Sequence, residues 1–392
     1  MMKSFAGEIK GDKVIWVVVL LLSLVSLLAV YSSTGTLAYK NMGGNTTHYM
    51  VKHGLILLLG LVLMYLFHKV KYLYFSPILK IFFWIAIPLL FFTLFFGLNI
   101  NEAKRVLPLP YNLTFQTSDL AKLTLITYLA NLLTKKQDNI KDFKSAFVPI
   151  MIPVLLVVAF VLPANLSTAA MIFSTSLVLM FIGRVNLKYI FSLIGIGLVL
   201  LTIFVEGLML MPVEKQGRLG TWKNRIENFT NGVGDNFQIE QSEIAIAGGG
   251  WFGKMPGNST QRNFLPHPYY DFIFAIIIEE YGLIGGSIVV FLYLILLSRA
   301  VIIVTKMPQT FGSFLSIGVA FSLAFQAMVN MGVAVGLLPV TGQPLPLVSM
   351  GGTSIWFTSI SLGILLSVSK ELTIKETIQE QIADEAIVAD HN

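Results

Sequence analysis

Asp271 stands at the seam of QRNFLPHPYYDFIFAIIIEEYG, Gln261 to Gly282, where a polar run broken by prolines turns into an apolar helix. A carboxylate there, flanked by Tyr269, Tyr270 and Phe272, is partly withdrawn from water. Desolvation raises its pKa and suits it to take a proton from a substrate hydroxyl. Aspartate is also a favoured helix N-cap, and that reading stands beside the first. Glu279 and Glu280 follow in the same predicted helix, about 12 to 14 Å deeper at ~1.5 Å per residue. Carboxylates inside a membrane are costly, so each needs a partner or a wet cavity. Asp119 and Lys122 are three residues apart, on one helix face, and form an expected ion pair. Lys122 is expected to meet Glu279 or Asp271.

Backbone could also do chemistry. The glycines of AIAGGGWFGK and the run GNST could offer N–H groups to a phosphate, or could be ordinary turns. QSEIAIA could form an amphipathic helix lying on a membrane. In LPVTGQPLPLVSMGGTS, Ser349, Gly351, Gly352 and Thr353 open a helix, either against a site or as small residues that let helices pack closely.

The elements that must position these groups are membrane spans. The chain has 392 residues, 55% of them hydrophobic and only 12% charged, with a mean hydropathy of +0.76. A soluble domain carries about a quarter charged residues, so this is an all-α integral membrane protein. No cysteine is present, which excludes disulfide frameworks and thiolate metal sites. The net charge of +6 is explained by membrane topology, not by nucleic acid. Ten stretches are long and apolar enough to span: 14–33, 51–68, 76–97, 118–134, 146–162, 167–183, 188–211, 272–298, 311–335 and 351–369. The fifth and sixth form a hairpin through PANLS, and the seventh could kink at Glu206 and Gly207. Lysines and arginines beside the short connections fall on one side, which puts both termini in the cytoplasm. The expected organisation is a ten-span unit, 1–370, and a cytoplasmic tail, 371–392, solvated as a helix or disordered. The polar clusters collect at the outer ends of the spans, and the long outer connection 212–270, between the seventh and eighth, is of a length that usually binds or catalyses.

These motifs resemble the SEDS family, the FtsW, RodA and SpoVE proteins of bacterial division, elongation and sporulation. The resemblance covers all ten predicted spans and is carried by FQTSDLAK, PANLST, AIAGGGWFGK, LPHPYYDFIFAIIIEEYG and PLVSMGGTS. GNSTQRNFLP looks most like the division branch, FtsW. Carried over by motif, the family's essential aspartate falls on Asp271, its conserved outer-loop arginine on Arg105, and its acidic-plus-lysine pair on Asp119 and Lys122. The chain departs from the family pattern at Thr117 (usually proline), Asp119 and His267 (usually glutamate), Asn165 (usually aspartate) and Met350 (usually tyrosine). Asp119 keeps a charge with shorter reach, Asn165 loses one, and His267 is not an essential acid.

The resemblance implies a peptidoglycan glycosyltransferase that polymerises lipid II at the outer face of the bacterial cytoplasmic membrane, beside a class B penicillin-binding protein and other divisome proteins at the septum. Its ligands would be lipid II, undecaprenyl-linked glycan and membrane lipid. Making a β-1,4 bond from an α-linked pyrophosphate inverts the anomeric carbon, so Asp271 is expected to act as general base. Arg105, Lys122, Lys254 and Arg262 are expected to stabilise the leaving group, with Asp119 and Ser349 in substrate binding and Gln116, Glu279, Glu280, Gly351 and Gly352 in support. A divalent cation, magnesium or manganese, could help, although no ligand cluster demands one. The competing readings are a lipid II flippase, to which intramembrane carboxylates would point, and a non-enzymatic division scaffold.

Overall fold

The computed structural model describes residues 11–100, 103–109, 113–210, 218–231, 237–307 and 310–390. The chain forms a bundle of helices: α1 (Lys13–Ser33), α2 (Gly35–Met42), α3 (Thr46–Lys69), α4 (Phe75–Phe96), α5 (Thr117–Lys135), α6 (Val148–Val161), α7 (Leu166–Ile182), α8 (Leu187–Met209), α9 (Arg218–Asn231), α10 (Phe237–Gly249), α11 (Ile273–Lys306), α12 (Phe311–Ala334) and α13 (Thr353–Asp390). Each of the ten predicted stretches is helical. Among the described residues, eight helices are long and apolar enough to cross a membrane. The two others are α7, apolar but short, and α5, which carries Asp119, Lys122 and Lys135. α5 tolerates that polarity because other helices surround it: 13 of its 19 residues are buried. α8 is the opposite case, with only Ile190 and Leu208 buried, and it runs unbroken through Glu206 and Gly207. α13 continues past the expected boundary at 370 as far as Asp390.

The all-α expectation missed one small sheet. Strands β1 (Leu98–Ile100), β2 (Ala103–Leu109) and β3 (Leu113–Gln116) form an antiparallel sheet in the order β1-β2-β3 between α4 and α5. Val106 pairs with Gln116 and Pro108 with Thr114, while pairing with β1 ends at Val106. Pro108, which has no N–H to donate, thus lies where β2 has no neighbour on its other side. The sheet carries Arg105 and Gln116 into the bundle end at which α1 finishes, called here the loop end.

The largest departure concerns α11. Its 34 residues include Gly282 at φ 71°, ψ −176°, outside the helical region. A β-carbon on Gly286 would lie 2.6 Å from Ile278 Cγ1 and 3.6 Å from the Phe274 ring. On one straight helix Phe274 and Gly286 would be about 18 Å apart. The chain therefore folds back at Gly282, leaving a short arm, Ile273–Tyr281, and a long arm, Leu283–Lys306, of about 36 Å, enough to cross a bilayer. Hydrogen bonds fix the direction of the short arm. Ser32, one residue from the end of α1, donates to Glu280. Ser26, further into the bundle, donates to the Val348 carbonyl (2.8 Å), and the adjoining Ser349 donates to the Tyr270 carbonyl. The short arm thus rises from Asp271 towards the loop end. Glu279 and Glu280 lie shallower than Asp271, not 12 to 14 Å deeper, because the apolar run is two helices joined at a glycine.

Candidate active site

A cavity of about 500 Å³ opens at the loop end, and Asp271 lines it together with Arg105, Gln116, Arg225, His267, Gly351 and Gly352. Asp271 is not a helix cap. The helix starts at Ile273 with Phe272 as N-cap, and no side chain caps it. Asp271 Oδ1 is buried without a hydrogen-bond partner, whereas its main-chain carbonyl is held by Asn330 Nδ2 (2.8 Å). Burial pushes the carboxyl up to about 6, against the opposing pull of Arg105 and Arg225. Gly342, at φ +64°, occupies the gap between acid and cation: a β-carbon there would lie 3.8 Å from Arg105 Nη1 and 3.9 Å from Asp271 Oδ2.

The loop from Gly336 to Gly352 that walls the cavity is tied down by buried polar side chains. Asn330 also donates to the Gln343 carbonyl (2.7 Å), Gln326 to the Pro344 carbonyl (2.9 Å), and Gln343 to Thr168 Oγ1 (2.8 Å). Ser349 accepts from Leu345 N (2.7 Å) while donating to the Tyr270 carbonyl, and Met350 N donates to the Tyr269 carbonyl (2.8 Å). Ser349 is buried and does not line the cavity; it positions the residues before Asp271. Gly351 lines the cavity, and a β-carbon on it would meet nothing nearer than 3.7 Å, so close helix packing does not require a glycine there. Thr353 joins this loop to the sheet by donating to the Thr114 carbonyl (3.0 Å) and accepting from Gln116 N (3.3 Å).

The remaining carboxylates and cations form a second, structural group. Glu279 is fully buried and pairs with Lys254 Nζ (2.7 Å). It also accepts from Ser259 Oγ, Thr260 N (3.0 Å), Thr260 Oγ1 (2.8 Å) and Gln261 N (3.2 Å). The run GNST does present backbone N–H groups to an anion, and that anion is the protein's own glutamate. Glu280 accepts from Ser32 and from Ser259 N (3.3 Å), and Arg262 donates to the Ser32 carbonyl (3.2 Å). The GGG segment is likewise structural. Lys254 N and Met255 N donate to the Glu279 and Glu280 carbonyls (2.9 and 3.0 Å), and Leu283 N donates to the Gly250 carbonyl (2.9 Å). These bonds satisfy the groups freed where α11 breaks. Glycine is required here, since a β-carbon on Gly249 would lie 2.1 Å from the Ile278 carbonyl oxygen.

The sequence model of the FtsW/RodA/SpoVE cell cycle proteins matches residues 12–374. The chain belongs to this family. It is 33% identical over 366 residues to the stage V sporulation protein E of Bacillus subtilis, covering 92% of this chain and 97% of that protein. It is 31% identical over 373 residues to the probable peptidoglycan glycosyltransferase FtsW of Aliivibrio salmonicida, covering 92% and 89%. Among solved structures, a chain of a peptidoglycan synthase complex superposes with a TM-score of 0.73 at 26% identity, covering 92% of this chain and 98% of that one. The rod-shape-determining protein RodA of Thermus thermophilus shares the fold, with a TM-score of 0.66 at 22% identity, covering 92% and 97%.

Within this family frame the sequence-predicted residues divide. Asp271, Arg105, Gln116, Gly351 and Gly352 meet at the cavity. Lys254, Arg262, Glu279 and Glu280 do not line it; they hold the segment that leads into Asp271. Lys122 meets neither Glu279 nor Asp271. It bonds Gln326 Oε1 (2.7 Å) and lies 3.9 Å from Asp119, so the predicted i, i+3 pair forms behind Gln116, which contacts Asp119 Oδ1 (3.4 Å). Three contributors escaped the sequence reading: Arg225, Gly342 and the Gln326–Asn330 pair. Only Gly342, inside a proline-rich loop, had a local signal. Among the described residues no group of three His, Asp or Glu could hold a metal. Asp271 would offer a divalent ion one oxygen, with the rest of its shell from phosphate and water.

Proposed function

We propose that this chain polymerises lipid II into β-1,4 glycan strands, with Asp271 as the base. The observation that carries the reading is a buried carboxylate, one oxygen of it without a hydrogen-bond partner, on a residue that lines a cavity with two arginines, in a family several of whose members are named probable peptidoglycan glycosyltransferases. A carboxyl near 6 is ionised at neutral pH yet basic enough to accept a proton. In the step, the acceptor 4-hydroxyl oxygen bonds to the donor's anomeric carbon. Its proton passes to Asp271, and the carbon–oxygen bond to the pyrophosphate breaks with inversion, releasing the undecaprenyl pyrophosphate. Arg105 stabilises the charge that develops on the leaving group.

The same reading takes all ten helices as spans, with the loop end outward and both termini cytoplasmic, and with α9, α10, the 266–270 stretch and the sheet lining the site. A class B penicillin-binding protein is the expected partner and the division septum the expected location. Glu279 and Glu280 lend no support to a transport path, since both are engaged by the 254–262 segment and by α1. The test is reconstitution in liposomes with the partner, its transpeptidase blocked, and lipid II. Glycan chains support the reading. Lipid II translocation without chains would make the protein a carrier, and neither product a scaffold.

A further inference from the structure

Arg225 sits on α9, in the long connection, and lines the same cavity as Arg105, which the sheet carries. α9 is fastened to the end of α8: Lys223 donates to the Met209 carbonyl (3.2 Å), and Trp222 meets the Phe204 ring edge-on at 5.5 Å. One N–H group of Arg225, on Nη1, donates to the Val340 carbonyl (3.0 Å), two residues before Gly342. A guanidinium has five donors, so most of them remain available.

Two arginines and one carboxylate share a half-buried space, and among the described residues neither guanidinium comes within ion-pair distance of Asp271. Burial lowers the Arg225 pKa, the nearby Arg105 lowers it further, and Asp271 opposes them. Holding two like charges in such a space without pairing either costs energy. The arrangement suits a ligand that brings at least two negative charges. Guanidinium forks match phosphate oxygens two at a time, which ammonium groups do not.

We propose that Arg105 and Arg225 together form a cradle for a pyrophosphate, with Arg225 supplied by the long connection as the second ligand. Because this rests on the lipid II reading, it names the group of that substrate which the cavity holds. It also gives the 212–270 segment a direct part in binding, in a role the sequence had given to Lys122, Lys254 and Arg262.

The test uses the full chain with its partner and inorganic pyrophosphate as probe. Pyrophosphate affinity is read from a ligand-induced melting shift, and chain formation is measured in parallel. Arg225→Ala is expected to weaken pyrophosphate binding about tenfold or more and to slow polymerisation. Arg225→Lys keeps the charge but loses the fork, and should fall between the wild type and Arg225→Ala. It also serves if Arg225→Ala does not fold. Wild-type affinity and rate in the folded variants would overturn the cradle, as would a wild-type chain that binds no pyrophosphate. A wild-type chain that binds pyrophosphate through Arg225 but makes no glycan would leave the cradle standing and remove the polymerase reading instead.

Discussion

Asp271 imposes a pH dependence whose sign follows from its environment. Burial holds its carboxyl near 6, so below that pH it keeps its proton and cannot accept another. Above it the base is free. The polymerisation rate should therefore rise from about pH 5 to about 7 with a midpoint near 6, as read from initial rates across a buffer series. A flat profile would place the proton acceptor elsewhere. Gly342 makes a second prediction at this scale. Alanine there is strained at φ +64° and puts a methyl group between Arg105 and Asp271. Gly342→Ala should cost on the order of tenfold in rate and only about 1 kcal/mol in stability, measured on one preparation by turnover and thermal melting. Asp271 could be singled out in the sequence because it stands at a polar-to-apolar seam between aromatic residues and falls on the family motif, although the seam alone left helix capping open. Arg225 was not legible. The long connection holds several lysines and arginines, and only the tertiary path of α9 decides which of them points into the cavity.

The short arm of α11 and the segment packed on it are held by a buried charge. Glu279→Gln would leave Lys254 without its partner and weaken the acceptor for Ser259, Thr260 and Gln261. Breaking a buried pair from one side costs about 3 kcal/mol or more, reduced here because Lys254 is one-third exposed. The expected result is a lower melting temperature and new protease cuts within residues 250–263; an unchanged melt with no new cuts would show that the clamp is not needed. Gly282→Ala should be more severe, since its β-carbon would lie 2.1 Å from the Trp251 carbonyl oxygen at a backbone angle that L residues rarely adopt. The fold-back at Gly282 could not be read from the sequence. FIFAIIIEEYGLIGGSIVVFLYL is apolar on both sides of Glu279 and Glu280, and no periodicity distinguishes one long helix from two arms joined at a glycine. Ser32 and the GGG turn, far away in the chain, show that Glu279 and Glu280 belong near the loop end.

At the scale of the molecule, eight spanning helices among the described residues were legible because length and apolarity are what a bilayer demands. The sheet was not, because its strands are short and β2 carries a proline. The lack of cysteine makes the topology directly testable. In intact cells a membrane-impermeant maleimide should label Asn263→Cys, at the loop end, and not Asp138→Cys, beyond the far end of α5. The reverse pattern would invert the assigned orientation. Both positions, however, test only where the site faces. The central claim is that the buried carboxylate at Asp271 drives glycan polymerisation, and the direct measurement is lipid II polymerisation by Asp271→Asn protein in liposomes with its partner. Asparagine keeps the shape and loses the basicity, so the variant should fold, bind its partner and form glycan at least 100-fold more slowly than wild type. Polymerisation by that folded complex at the wild-type rate would contradict the account.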